Sequence, residues 1–183
     1  MIRPLSHGGQ RLRPPDNGVN VDAGRTAIDT PGLDLTAIVN APVGRILHAF
    51  FDADALRAWW QVTHSVTTPR ALGPYAIEWA VSDFHDEILG RLGGVFRGTV
   101  VQFDPQTGFF VADAFWLPPD GDPIGPMTLE VTCSPVSADP DAHTQVRVRQ
   151  TGFEDSIRWR RYYEVVPYGW ERALASLKSL LES

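Results

Sequence analysis

Residues 33–60 predict one strand followed by two short helices. Apolar and polar positions alternate in LDLTAIV, residues 33–39, which indicates a β-strand. From Pro42 onwards the apolar positions adopt helical spacing, and Pro42 itself suits the first turn of a helix. Asp52 is placed to cap a second helix through ADALRAWW, residues 53–60.

Period-two alternation then continues to about residue 150 and predicts an antiparallel sheet. The inward positions are clearest in MTLEVTC, residues 127–133, and in TQVRVRQ, residues 144–150, where Val146 and Val148 face inward and Arg147 and Arg149 outward. Further strands are predicted at FFVADAFW and at two segments with the alternating positions Tyr75, Ile77, Trp79 and Val81, and Thr99, Val101 and Phe103. Such alternation is typical of a sheet with one covered face, and only helices remain to cover it. The order predicts an α+β fold with about six antiparallel strands and a terminal helix.

The terminal helix carries a continuous apolar stripe. Its members follow one another at i, i+4, i+7 and i+11: Trp170, Leu174, Leu177 and Leu181. Burying four such side chains contributes about 6–12 kcal/mol before the entropy cost of ordering. Pro167 removes a backbone donor, so either one helix is kinked there or two helices meet. Because Trp159, Tyr163 and Val166 keep the same phase, we favour one kinked helix. Pro167 and Gly169 would let its first turns diverge from the sheet and leave room for a cavity.

Composition narrows the class of protein. Hydrophobic residues make up 43% and charged residues 21% of the 183 residues, as in soluble domains. The net charge of −6 argues against a nucleic-acid partner. The single cysteine, Cys133, excludes an internal disulfide and is expected to be buried. No apolar run reaches 18 residues, so we expect no membrane insertion and a cytoplasmic location. Residues 1–32 are rich in polar residues, proline and glycine, which predicts a flexible or loosely docked tail before a domain at 33–183.

Three segments resemble a known family. They are the strand–helix–WW opening, GTVVQFDPQTGFFVADAFW and the closing GWERALASLKSLL. Together they resemble the START-like (SRPBCC) superfamily over residues 33–182, and within it the subgroup named after the activator of the heat-shock protein ninety ATPase. The resemblance implies a helix-grip fold, in which a curved antiparallel sheet wraps a long C-terminal helix around an internal cavity. A Gly-Gly pair that often follows the second strand in the family comes later here, at Gly93–Gly94.

The resemblance implies an apolar or aromatic small-molecule ligand in that cavity. The candidate ligand-binding residues lie on elements expected to face the interior: Trp59, Trp60, Trp79, Trp116, Met127, Tyr163 and Trp170. Core packing of the same side chains stays open as an alternative. Two other functions also stay open: a chaperone-ATPase activator-like interaction module, and an enzyme of the cyclase, aromatase or hydrolase type. We expect a binding protein rather than an enzyme and assign no catalytic residue, metal or cofactor; exposed edge strands leave a homodimer open.

The ionisable residues form no recognisable catalytic motif. DFHDE, residues 83–87, lacks the spacing of a helical zinc motif and is expected to be a solvated connection. RWRR, residues 158–161, is expected to be a solvated basic face. Catalysis would need an ionisable group with a perturbed pKa facing the cavity, for which Glu78, His85 and Asp113 are the candidates.

Overall fold

The chain opens with one strand and two helices, as the sequence predicts. The computed structural model describes residues 30–136 and 143–183, so the predicted tail lies almost entirely outside the described residues. Strand β1 spans Leu33–Val39, helix α1 Val43–Phe51 and helix α2 Ala53–Trp60. Asp52 caps α2, since its Oδ1 accepts a hydrogen bond from the Ala55 backbone N–H at 2.8 Å.

Seven strands form one curled antiparallel sheet, and the fold is α+β of the helix-grip type. The remaining strands are β2 Val62–Thr67, β3 Gly73–Trp79, β6 Gly94–Asp104, β7 Gly108–Leu117, β8 Ile124–Pro135 and β9 Thr144–Thr151. The order across the sheet is β1-β9-β8-β7-β6-β3-β2. A two-stranded hairpin of β4 (His85–Asp86) and β5 (Gly90–Arg91) lies outside this sheet.

The predicted inward faces are confirmed where alternation is unbroken. Met127, Leu129, Val131 and Cys133 of β8 are all buried, as are Val146 and Val148 of β9. Strand β6 departs from the prediction, because Val101 is 44% exposed whereas Val100 is buried. Val100 pairs with Val111 and Gln102 with Phe110, so Val101 is the extra residue of a β-bulge, which shifts the alternation by one position.

Helix α3, Ile157–Leu181, is a single 25-residue helix with Pro167 inside it. One helix, rather than two that meet at Pro167, is therefore correct. The Ser156 hydroxyl accepts a hydrogen bond from the Trp159 backbone N–H at 3.3 Å and caps its first turn. The predicted stripe of Trp170, Leu174, Leu177 and Leu181 is buried. The helix contacts β1, α1 and α2 and closes the core against the concave face of the sheet. In the described part of the chain, no helix is both long and apolar enough to cross a membrane.

Candidate functional site

A cavity of about 460 Å³ lies between α3, the end of α2 and strands β3, β6 and β7. We call it the aromatic cavity, because five tryptophans line it: Trp59, Trp60, Trp79, Trp116 and Trp170. Its wall also includes Phe96 of β6, Leu89 of the β4–β5 hairpin, Gln150 of β9 and Tyr162 of α3. Tyr168, Gly169 and Arg172 are exposed wall residues on α3, so the cavity opens to solvent along this helix.

Four of the tryptophans form one packed cluster. The rings of Trp59 and Trp60 stack with centroids 4.8 Å apart, and the Trp60 ring lies 5.2 Å from Trp79 and 4.5 Å from Trp170. Such ring pairs add stability beyond the area that they bury. The cluster therefore forms a rigid apolar wall at the junction of α2, β3 and α3.

Backbone carbonyls fix the orientation of three indole rings. The indole N–H of Trp59 donates to Ala49 O at 2.9 Å, that of Trp79 to Trp60 O at 3.0 Å and that of Trp116 to Gly93 O at 2.8 Å. These bonds satisfy the polar edge of each ring within the protein. The carbon atoms of these rings remain for contact with the cavity.

Two of the seven candidate residues lie outside the cavity wall. Met127 is buried on β8, where its sulfur is 3.5 Å from the Tyr162 hydroxyl. Tyr163 is buried on α3, and its hydroxyl donates to Gly152 O at 2.8 Å. On α3 it is the side chain of Tyr162, and not that of Tyr163, that lines the cavity. Ligand binding by any of the seven stays a prediction.

The β4–β5 hairpin closes one side of the cavity and is fastened to α3 by Asp86. Asp86 Oδ1 accepts the backbone N–H groups of Ile88 and Leu89 at 2.9 and 3.0 Å, and Oδ2 accepts from Arg161 Nε at 2.8 Å. The Arg161 guanidinium, aided by the two backbone donors, lowers the pKa of Asp86 to about 2. This carboxylate positions Leu89, a buried residue of the cavity wall.

The prediction of a solvated DFHDE segment is wrong for Asp86, whose side chain is only 3% exposed. Arg161 of the RWRR segment is likewise not merely solvated, because it pairs with Asp86 and also with Glu164. Asp86 and Arg161 lie 75 residues apart in the sequence, and they pair only when α3 docks on the hairpin. Local sequence patterns carry no signal for such a contact.

Gln150 and Tyr162 are wall residues that the sequence analysis did not identify. Gln150 follows Val146 and Val148 at the next inward position of β9, and this alternation is the sequence feature that indicates its burial. An amide side chain therefore occupies the position at which a third valine would complete the apolar pattern. Burial raises the pKa of Tyr162 above its ordinary value, so its hydroxyl stays protonated and can donate.

The three ionisable candidates for catalysis all lie outside the cavity wall. Glu78 is exposed on β3, with its Oε2 3.2 Å from Nδ1 of the exposed His64. His85 and Asp113 are exposed as well. Among residues 30–136 and 143–183, no three His, Cys, Asp or Glu side chains converge to hold a metal ion.

The sequence matches the family model described as Activator of Hsp90 ATPase homolog 1-like protein over residues 40–182. The chain belongs to this family. The match covers most of the chain and confirms the resemblance drawn from its three segments. No curated protein matches the sequence of this family member.

Several solved structures share the fold of this chain. A Mesorhizobium loti protein is 20% identical, with a TM-score of 0.61 over 82% of this chain and 96% of its own. A Mycobacterium smegmatis protein is also 20% identical, with a TM-score of 0.62 over 84% and 92%. The Aha1 dimer from Colwellia psychrerythraea is 16% identical, with a TM-score of 0.55 over 82% and 96%. At these identities the similarity establishes the fold alone.

Proposed function

We propose that the protein binds an apolar, ring-containing small molecule in the aromatic cavity. The observation that carries this proposal is an open cavity of about 460 Å³ with five tryptophans in its wall. Ligand pockets typically measure about 300–1,000 Å³ and are lined by apolar and aromatic side chains with a few polar groups. The aromatic cavity meets each of these criteria.

A defect of core packing does not explain a space of this size. Protein interiors are packed as densely as organic crystals, with few voids larger than one water molecule. At about 460 Å³ the cavity is many times larger than the space that one water molecule needs. Water in contact with so many indole rings is readily displaced by an apolar ligand, which supplies the driving force for binding.

Ligand-dependent thermal stability tests the proposal directly. We expect 2-methylnaphthalene, a neutral two-ring probe, to raise Tm, because a ligand that binds only the native state stabilises it. At one hundred times Kd the gain is about 2.7 kcal/mol. In a domain of this size such a gain corresponds to an increase in Tm of roughly 5–10 °C.

A matched pair of variants on α3 locates the binding site. Ala173 is buried in the cavity wall, whereas Ala175 is exposed on the same helix. Ala173→Leu adds side-chain volume at the cavity and should abolish the probe-induced increase in Tm, while Ala175→Leu should retain it. Leucine and alanine have similar helix propensity, so both variants should fold. An equal increase in Tm in both variants, or none in the wild type across a panel of neutral ring compounds, would refute binding in the aromatic cavity.

Family membership favours a second candidate function, that of an Hsp90 ATPase activator-like interaction module. The experiment is to measure the ATPase rate of the Hsp90 of the same organism while the protein is added to saturation. A rate that rises and reaches a plateau would support this function. A flat rate in the presence of a demonstrably folded protein would eliminate it.

A further inference from the structure

The wall of the aromatic cavity contains one buried amide. Gln150 is 2% exposed and lies on β9, between Leu33 of β1 and Leu129 of β8 in the sheet. It occupies the inward phase of Val146 and Val148. A buried polar side chain is unfavourable unless its hydrogen-bonding groups are satisfied, so its partners are informative.

The described partners of the Gln150 side chain are Met127 and Tyr162, and neither of them satisfies its amide oxygen. Its Nε2 lies 3.9 Å from the thioether sulfur of Met127, and thioethers are poor acceptors. Its Oε1 has no hydrogen-bond partner in the described part of the chain. Buried polar atoms of native proteins are nearly always paired, with protein groups, water or a ligand. Gln150 therefore presents an acceptor beside the cavity that the described protein groups leave unused.

Tyr162 places a donor beside this acceptor. Its oxygen is hydrogen-bonded with the Gln150 side chain, and its O–H points to the Met127 sulfur at 3.5 Å. The weak thioether leaves this O–H without a strong acceptor. A hydroxyl group donates and accepts through a single neutral atom, so it matches the acceptor of Gln150 and the donor of Tyr162 together.

Charge favours a neutral group at this end of the cavity. Among the described residues of the wall, Arg172 is the only Lys, Arg, Asp or Glu, and it is exposed. A carboxylate or an ammonium group next to Gln150 would lie in apolar surroundings without a countercharge, which is strongly unfavourable.

We propose that the ligand of the aromatic cavity carries an uncharged hydroxyl, as in an alcohol or a phenol, that donates to Gln150 Oε1 and accepts from the Tyr162 hydroxyl. This inference rests on the proposed function, since it specifies the ligand class of the same cavity. Gln150 is its specificity-determining residue: the apolar wall holds the rings, and the amide selects the hydroxyl. A site built to bond a hydroxyl discriminates strongly against the analogue that lacks it.

Three probes of similar size test the inference by isothermal titration calorimetry on the full chain. In 2-naphthol the hydroxyl donates and accepts, in 2-methoxynaphthalene the oxygen only accepts, and in 2-methylnaphthalene a methyl group replaces the hydroxyl. We expect the wild type to bind 2-naphthol about tenfold more tightly than either analogue, the effect of one matched buried hydrogen bond. If 2-methoxynaphthalene equals 2-naphthol, donation to Gln150 is refuted.

Gln150→Leu tests the role of the amide itself. The variant should bind 2-methylnaphthalene at least as well as the wild type and should lose the preference for 2-naphthol. A preference that persists in Gln150→Leu overturns the inference, as does a wild type that binds all three probes equally; in the latter case the cavity still binds apolar ligands and the proposed function stands. If the wild type binds no probe, both proposals fail. If Gln150→Leu does not fold, the binding of the three probes to the wild type still shows whether the cavity prefers a hydroxyl group.

Discussion

The ion pair of Asp86 and Arg161 should control the stability of the wall that the hairpin contributes. Its contacts are short: Arg161 Nε is 2.8 Å from Asp86 Oδ2, and the Ile88 and Leu89 N–H groups are 2.9 and 3.0 Å from Oδ1. Asp86→Asn keeps the shape of the side chain and removes its charge. In one orientation the new amide NH₂ group would face the Arg161 guanidinium, and in the other it would face the two backbone N–H groups. Because donors then face donors, the hydrogen bonds on one side of the residue are lost in either orientation.

The stability lost in Asp86→Asn can be estimated from the pKa of Asp86. A carboxyl group whose pKa falls from 3.8 when unfolded to about 2 when folded stabilises the native state. At about 1.4 kcal/mol per pKa unit, this amounts to roughly 2.4 kcal/mol at neutral pH. Arg161 is 36% exposed and can be rehydrated when its partner is removed, so we expect Asp86→Asn to cost about 2 kcal/mol.

The stability difference between the wild type and Asp86→Asn should depend on pH. A pKa that is lowered on folding contributes stability above the unfolded value, and this contribution is lost as pH falls through the folded value. The difference between wild type and Asp86→Asn should therefore be constant above about pH 5. It should fall to roughly half by about pH 3 and vanish near pH 1.

Urea unfolding at several pH values measures this difference. The matched control is Asp83→Asn, which removes an exposed carboxylate three residues earlier in the same segment and should change the free energy of unfolding by less than about 0.5 kcal/mol. A loss for Asp86→Asn no larger than that of the control would refute the structural role of the pair. A loss of equal size at pH 3 and pH 7 would refute its electrostatic origin.

Three further predictions concern buried side chains. The Tyr75 hydroxyl is buried with no partner among the described residues, so Tyr75→Phe should raise the free energy of unfolding by about 1 kcal/mol in urea titrations. Tyr163→Phe loses the hydrogen bond to Gly152 O and should lower the free energy of unfolding by a similar amount. A change of the same sign in both variants would contradict these predictions. Burial raises the pKa of Cys133 to about 12, so dithionitrobenzoate should modify this thiol only after denaturant is added. Rapid labelling of the native protein would show that β8 opens.

Sequence patterns predict the elements whose burial is regular and fail where it is not. Alternation identifies the inward residues of β8 and β9 because each of these strands has one buried face. Strand β2 was missed because it is an edge strand in which Val62 alone is buried, so it shows no period. Val101 was assigned with the wrong phase because a bulge leaves no local signature in the sequence.

The wall of the cavity was only partly predictable for a related reason. The tryptophans lie on elements whose inward side is evident, and all five that were proposed line the cavity. Met127 and Tyr163 are buried too, yet they lie outside its wall, because burial alone does not distinguish the wall from the layer behind it. Asp86 and Arg161 come into contact only when α3 docks on the hairpin. They are too far apart in the sequence for a helical or strand period to predict this contact.

The tryptophan cluster has a photophysical consequence. With ring centroids 4.5–5.2 Å apart along the chain of contacts through Trp60, an excitation absorbed by one indole passes to its neighbours before it is emitted. Trp59, Trp60, Trp79 and Trp170 therefore act as one group in the transfer of excitation energy. A ligand that quenches one of these rings drains excitation from its neighbours as well, so the total tryptophan emission reports whether the cavity is occupied.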